Sequence, residues 1–223
     1  KRGVNFHLNA KVIEVGKEGV TIEKESKTAL IEAEKVLVSV GRKANLSQVG
    51  LDKLNIELLR NGVKVDEHMQ TSHPRVYACG DITGHSMLAH TAIRESEVAI
   101  NHILGVEDRM NYDCVPGVVY TNPEVAGVGK TEEELKASGI SYHVQKLPMA
   151  YSGRFVAENE GVNGVCKVLA AEDGTVLGAH MLGNPASELI VLAGMAIEDG
   201  KTIEDWKRYV FPHPTVGEIF REL

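Results

Sequence analysis

A chain of 223 residues, 43% hydrophobic and 25% charged, has the composition of a globular protein and enough length for one large core or two modest ones. A net charge of -7 without a basic run argues against nucleic acid and anionic membrane surfaces as partners, and no apolar run reaches the about 18 residues of a membrane-spanning helix. Cys79, Cys114 and Cys166 are sparse, with no metal-type or C-x-x-C pattern, and the first residues show no signal-peptide architecture, so reduced thiols in a cytoplasmic protein are expected.

Lys11 to Glu23 alternates apolar and polar positions around Gly16-Lys17-Glu18-Gly19, which reads as a β-hairpin. Ile31 to Val40 reads as a further strand, with Val36, Leu37, Val38 and Val40 continuous enough for full burial. Gly41-Arg42 ends it. A glycine there permits close approach by a ligand and the arginine adds positive charge, although an ordinary strand-ending turn fits these two residues better. Val63, Lys64 and Val65 form a short strand beyond Leu51.

In Val76 to His90, the apolar Val76, Tyr77 and Ala78 suit a buried parallel strand, and Gly80 permits a sharp turn. Asp81 then stands at the carboxyl end of a strand, where open α/β sheets bind ligands and a carboxylate accepts hydrogen bonds from sugar-type hydroxyls. From Met87 onward a helix runs to about Ile103, so the N–H groups around Leu88, Ala89 and His90 are its unpaired first donors. A polyhydroxylated or anionic cofactor fits this order; a plain strand, turn and capped helix fits it equally. Ala92, Ile93, Ala99, Ile100 and Ile103 set the apolar face of the helix, Arg94, Glu95 and Glu97 its wetter face, and Gly105 ends it. The polar stretch after Val106 places a domain boundary there, dividing the chain into 1–110 and 111–223.

Beyond it the pattern becomes antiparallel α+β. Val118 to Thr121, Val125 to Val128, Tyr142 to Leu147, Gly164 to Ala170 and Val176 to Met181 read as strands, with Asp173-Gly174 as a hairpin turn. Thr131 to Glu134 is a capping-box signature opening a short helix, and Ala186 to Asp199 is an apolar helix that needs cover on more than one side. Near the end, Pro214 keeps His213 out of the helical region and suits the start of a helix that follows. Glu218, about one turn into that helix, is placed to hold one imidazole nitrogen and leave the other for proton transfer. A histidine and an acid five positions apart are, by spacing alone, most often unrelated surface residues.

Thr71, Val76 to Asp81 and Met87 to His90 closely resemble the second flavin-binding motif of the pyridine nucleotide-disulfide oxidoreductases. Val40 to Asn45 resembles the segment lining the nicotinamide dinucleotide site of that family, with Ala44 where proline is usual. Tyr120 to Val125 resembles its dihydrolipoyl branch more than its glutathione branch, and His213-Pro214-Thr215 with Glu218 matches its acid/base motif, although Phe211 replaces a histidine common in the dihydrolipoyl branch. The resemblance implies a partial FAD- and NAD-binding region of α/β type, followed by an α+β dimerisation domain with an antiparallel sheet. It implies FAD and NAD as cofactors, with Asp81 on the ribityl chain, Met87, Leu88, Ala89 and His90 at the isoalloxazine ring, and Gly41 at the NAD site. His213 becomes the acid/base and Glu218 its orienting partner, with a cis His213-Pro214 bond; no metal is implied. The implied activity is oxidation of dihydrolipoamide through a redox disulfide and FAD to NAD. The implied partners are a second copy of the chain and the lipoyl-bearing subunits of 2-oxo acid dehydrogenase or glycine cleavage complexes. The N-terminal G-x-G-x-x-G, the redox cysteine pair and the first βαβ unit of that family are not among these residues, so the chain reads as a later portion of a longer or split enzyme, inactive alone. A glutathione- or mercuric-type reductase and a non-catalytic dimerisation module are the alternatives.

Overall fold

The computed structural model describes residues 3–47 and 49–223; Lys1, Arg2 and Gln48 lie outside the described residues. The chain divides into two compact units, Lys1–Lys43 and Ala44–Leu223. The boundary expected near residue 110 falls inside the second.

The first unit is a three-stranded antiparallel sheet of β1 (Lys11–Gly16), β2 (Gly19–Lys24) and β3 (Lys27–Glu32) in chain order. Gly16 pairs with Gly19 across the Lys17-Glu18 turn, giving the expected hairpin. Glu25 and Ser26, both at positive φ, make the second tight turn, the backbone that two-residue hairpin loops require. The strand expected through Val40 does not form. β3 stops at Glu32, and Val36, Leu37, Val38 and Val40 are exposed, Val40 at 92%. A strand buried on both faces needs neighbours on its edges and layers over its faces, and pairing in this sheet ends before those valines.

In the second unit, Val76 to Ala78 is held by bridges rather than a sheet. Tyr77 pairs with Gln70, Ala78 N–H donates to the Met69 carbonyl, and Thr71 N–H to that of Val76. The buried parallel strand expected here has no parallel neighbour among the described residues. Likewise Val63 and Val65 make only isolated bridges, to Leu58 and Thr71. Helix α1 (Ala89–Ile103) follows, and its Val98 and Ala99 pack against Met69 and Met110. Glu95, expected on the wetter face, is fully buried, whereas Ile93, Ile100 and Ile103 are exposed. The helix is thus turned so that Thr91, Glu95 and Val98 face inward.

A five-stranded antiparallel sheet organises the rest, in the order β4-β5-β8-β7-β6: β4 (Gly117–Val119), β5 (Val125–Gly129), β6 (His143–Pro148), β7 (Val165–Ala170) and β8 (Val176–Leu182). Between its strands lie α2 (Glu132–Ala137), opened by the expected Thr131/Glu134 capping box, and α3 (Gly153–Glu158), capped by Ser152. Helix α4 (Ala186–Glu198) packs on β5 and β8 through Ile190 and the small residues Ala186, Ala193 and Ala196, which let it approach the sheet closely. Helix α5 (Ile203–Arg208) carries Trp206 into the same core, against Phe220 at 4.9 Å between ring centroids. No helix among the described residues is long and apolar enough to cross a membrane.

Candidate functional site

The C-terminal turn is built from the core outward. Val216, Ile219 and Phe220 are buried, which pins a 3-10 turn over Val216–Phe220 where a helix start was expected. That leaves Glu218 on the side facing the preceding loop. One carboxyl oxygen accepts the Thr215 backbone N–H at 2.7 Å and the other lies 2.9 Å from His213 Nδ1. The Thr215 N–H first, and His213 second, hold the Glu218 carboxyl below the usual carboxylate range. A carboxylate acceptor puts the ring proton on Nδ1, and His213, 82% exposed in its side chain, turns Nε2 to the outside. Thr215 Oγ1 donates to the Pro212 carbonyl, Ser152 Oγ donates to the Thr215 carbonyl, and the His213-Pro214 bond is cis, as the resemblance implies.

The other expected residues of the second unit stand together around the start of α1. Asp81 lies on a 3-10 turn, Gly80–Thr83, entered through Gly80 at φ +80, and its side chain is exposed. Thr83 Oγ1 closes the turn onto the Gly80 carbonyl at 2.9 Å, and Gly84 crosses so close to Asn61 that a Cβ would sit 2.4 Å from its carbonyl oxygen. Met87 and Leu88 precede the helix, Ala89 and His90 begin it, and the N-cap Leu88 supplies no side-chain cap. The first-turn N–H groups of a 15-residue helix are therefore left for another acceptor. The His90 side chain is engaged elsewhere, its Nε2–H reaching the Pro116 carbonyl at 2.8 Å.

These residues fit a flavin. An exposed carboxylate on a glycine-entered turn accepts hydroxyl hydrogens, and an uncapped helix start favours negative charge nearby. Gly41 belongs to the first unit, at φ +111 with no atom of the described residues within 4 Å of where a Cβ would stand, which fits close approach of a dinucleotide backbone.

One feature of this region escapes sequence reasoning. Glu95 accepts the Gly80 N–H at 2.5 Å and the Tyr112 hydroxyl at 2.7 Å, and burial followed by the Glu95 hydrogen bond pushes the Tyr112 phenol well above its ordinary range. Charge alone marks such a glutamate as solvated, and only the positions of its two donors say otherwise. The three cysteines are unpaired, and burial raises all three thiols, Cys114 and Cys166 to about 12. They remain protonated and poorly nucleophilic near neutral pH. No cluster among the described residues has the composition to hold a metal ion.

Residues 1–96 match the family model described as pyridine nucleotide-disulphide oxidoreductase, and residues 115–223 match the dimerisation domain of the same family. The chain is 41% identical over 231 residues to the mitochondrial dihydrolipoyl dehydrogenase of Homo sapiens, covering 100% of this chain and 45% of the relative. It is 40% identical over 230 residues to that of Caenorhabditis elegans, covering 100% and 46%. Among solved structures, LpdA from Mycobacterium tuberculosis superposes with a TM-score of 0.87 at 27% identity, over 99% of this chain and 49% of that one. The flavoprotein disulfide reductase RclA from Escherichia coli does so with a TM-score of 0.83 at 25% identity, over 99% and 52%. The chain thus spans about half the length of the proteins it matches. The relatives are mitochondrial enzymes by name, which contradicts the cytoplasmic location expected from the sequence.

Proposed function

Because this chain belongs to the pyridine nucleotide-disulfide oxidoreductase family, whose members use FAD and NAD, we propose that it is the C-terminal portion of a dihydrolipoyl dehydrogenase. The carrying observation is the His213–Glu218 pair, a highly exposed imidazole held at Nδ1 by a partly buried carboxylate. Identity of 40–41% along the whole chain to enzymes of that name supports the substrate. In this reading His213 Nε2 takes a proton from a dihydrolipoamide thiol and later returns one, while Glu218 keeps the proton on Nδ1 and stabilises the imidazolium. Asp81 accepts hydrogen bonds from the ribityl hydroxyls, and the backbone of Met87, Leu88, Ala89 and His90 faces the isoalloxazine ring. Gly41 lines the NAD site. Bound FAD supplies the two-electron chemistry that links the thiols to NAD.

The division at about residue 110 separates the cofactor-binding region from the dimerisation domain in the same reading. The dimerisation domain supports a homodimer. Lipoyl-bearing subunits of 2-oxo acid dehydrogenase or glycine cleavage complexes are the proposed partners that present the substrate.

The test is NAD-dependent oxidation of dihydrolipoamide by the assembled, flavin-loaded protein. His213→Gln is expected to lower turnover by about 10²–10⁴-fold with the flavin spectrum retained. Turnover of glutathione disulfide or mercuric ion in place of lipoamide would overturn the substrate assignment. Phe211, packed against the core where the dihydrolipoyl branch commonly has histidine, is the residue that favours that second reading.

A further inference from the structure

Glu95 is the one acidic side chain among the described residues that is fully buried, at 0% exposure, and nothing in the proposed proton chemistry uses it. Burying a carboxylate is costly unless its oxygens are hydrogen-bonded. Here each oxygen has a donor: Gly80 N–H at 2.5 Å and Tyr112 O–H at 2.7 Å. The two donors come from opposite sides. Gly80 opens the turn that carries Asp81, and Tyr112 opens the 3-10 turn that leads through Cys114 into β4. Tyr112 also stacks on His85, in the loop between Asp81 and the helix start, with ring centroids 5.1 Å apart. Thus one buried carboxyl and one aromatic ring grip the 80–88 loop at its beginning and its middle.

We infer that Glu95 is a positioning residue: it fixes the Gly80-Asp81 turn, and hence the Asp81 carboxylate, in register with the Tyr112 segment that enters the five-stranded sheet. Its significance for cofactor binding rests on the flavin reading above. Glu95 touches no ligand in this scheme. It acts through the backbone of Gly80, whose φ of +80 is a conformation in which L side chains are strained: Glu95 holds the Gly80 N–H from outside the turn, while Thr83 Oγ1 holds the Gly80 carbonyl from within it.

The test is amide hydrogen exchange in the 223-residue chain, with the β7 and β8 amides reporting that the fold is intact. In Glu95→Leu the Gly80 amide is expected to exchange about tenfold faster or more, the effect of losing a hydrogen bond to a charged group. Glu95→Gln keeps one carbonyl oxygen for the Gly80 N–H and is expected to stay within about threefold of wild type. Tyr112→Phe removes one of the two bonds while keeping the ring, and is expected to speed Gly80 exchange by about threefold or more; it decides the question if Glu95→Leu does not fold. Unchanged Gly80 exchange in folded Glu95→Leu, or in Tyr112→Phe where the leucine variant does not fold, overturns the inference. FAD titration of the same variants gives the second readout. Affinity weakened about tenfold in Glu95→Leu and recovered in Glu95→Gln supports the positioning role, and equal affinity in Glu95→Leu and wild type overturns it. If wild type itself takes up no FAD, this portion forms no flavin site without the remainder of the enzyme, and the exchange rates alone decide whether Glu95 fixes the turn.

Discussion

Glu218 holds His213 from beneath: Nδ1 and Oε1 lie 2.9 Å apart, yet the imidazole stays 82% exposed in its side chain. The glutamate is itself fixed by Thr215 N–H, so the ring is oriented by a carboxylate that cannot follow it outward.

Neutral His213 is therefore expected to carry its proton on Nδ1, and long-range ¹H–¹⁵N correlation spectra of the chain read the tautomer directly. Glu218→Ala should release that bias while the strands stay folded. Identical tautomer signals in the two proteins would remove the orienting role from Glu218.

The turn that carries Glu218 is anchored by apolar side chains, and Phe220 is the largest of them, fully buried against Trp206. Phe220→Ala is expected to cost about 3–5 kcal/mol in urea unfolding, from lost burial plus the cavity left behind. A loss under about 1 kcal/mol would mean that the site collapses around the gap and that Phe220 is not the anchor.

His180 on β8 makes the sheet sensitive to acid. Its buried Nδ1 has no hydrogen-bond partner among the described residues, and burial first, then the neighbouring Lys167 on β7, lower its pKa against the opposing pull of Glu132, Glu133 and Glu134. A lowered folded value means the unfolded chain binds the proton first. Stability is then full above the unfolded value of about 6.5 and falls as pH drops from there toward the folded value. Unfolding midpoints in urea at neutral and mildly acidic pH should differ more for wild type than for His180→Asn. Equal differences would show that His180 does not supply the dependence.

The second half of the fold was legible because its signals are local. Alternation marks β5 to β8, Asp173-Gly174 marks their last turn with Gly174 at φ +89, and the Thr131/Glu134 box opens α2. A capping box of Thr202 and Asp205 opens α5 in the same way, with aspartate in place of the usual glutamate, which makes it harder to read. His213 and Glu218 were legible as a pair only because His213-Pro214-Thr215 with Glu218 matches a family motif, since spacing alone leaves them unrelated. The first half was harder, since Val36 to Val40 and Val76 to Ala78 have the composition of buried strands but composition does not say which ladder a strand joins. Glu95 was opaque for a related reason. Its partners, Gly80 and Tyr112, lie 15 and 17 positions away in opposite directions, and no periodicity within α1 encodes them.

The strand order β4-β5-β8-β7-β6 carries a consequence for how the chain is made. β7 and β8 are adjacent and can close as a hairpin soon after both exist, but β5 pairs with β8, so Val125 must wait for Leu182. At about 5–20 residues per second on the ribosome, β5 spends seconds as an unpaired edge before its partner emerges. It is a short edge, five residues with glycine at its third and fifth positions, and such a strand offers little to a neighbouring nascent chain in that interval.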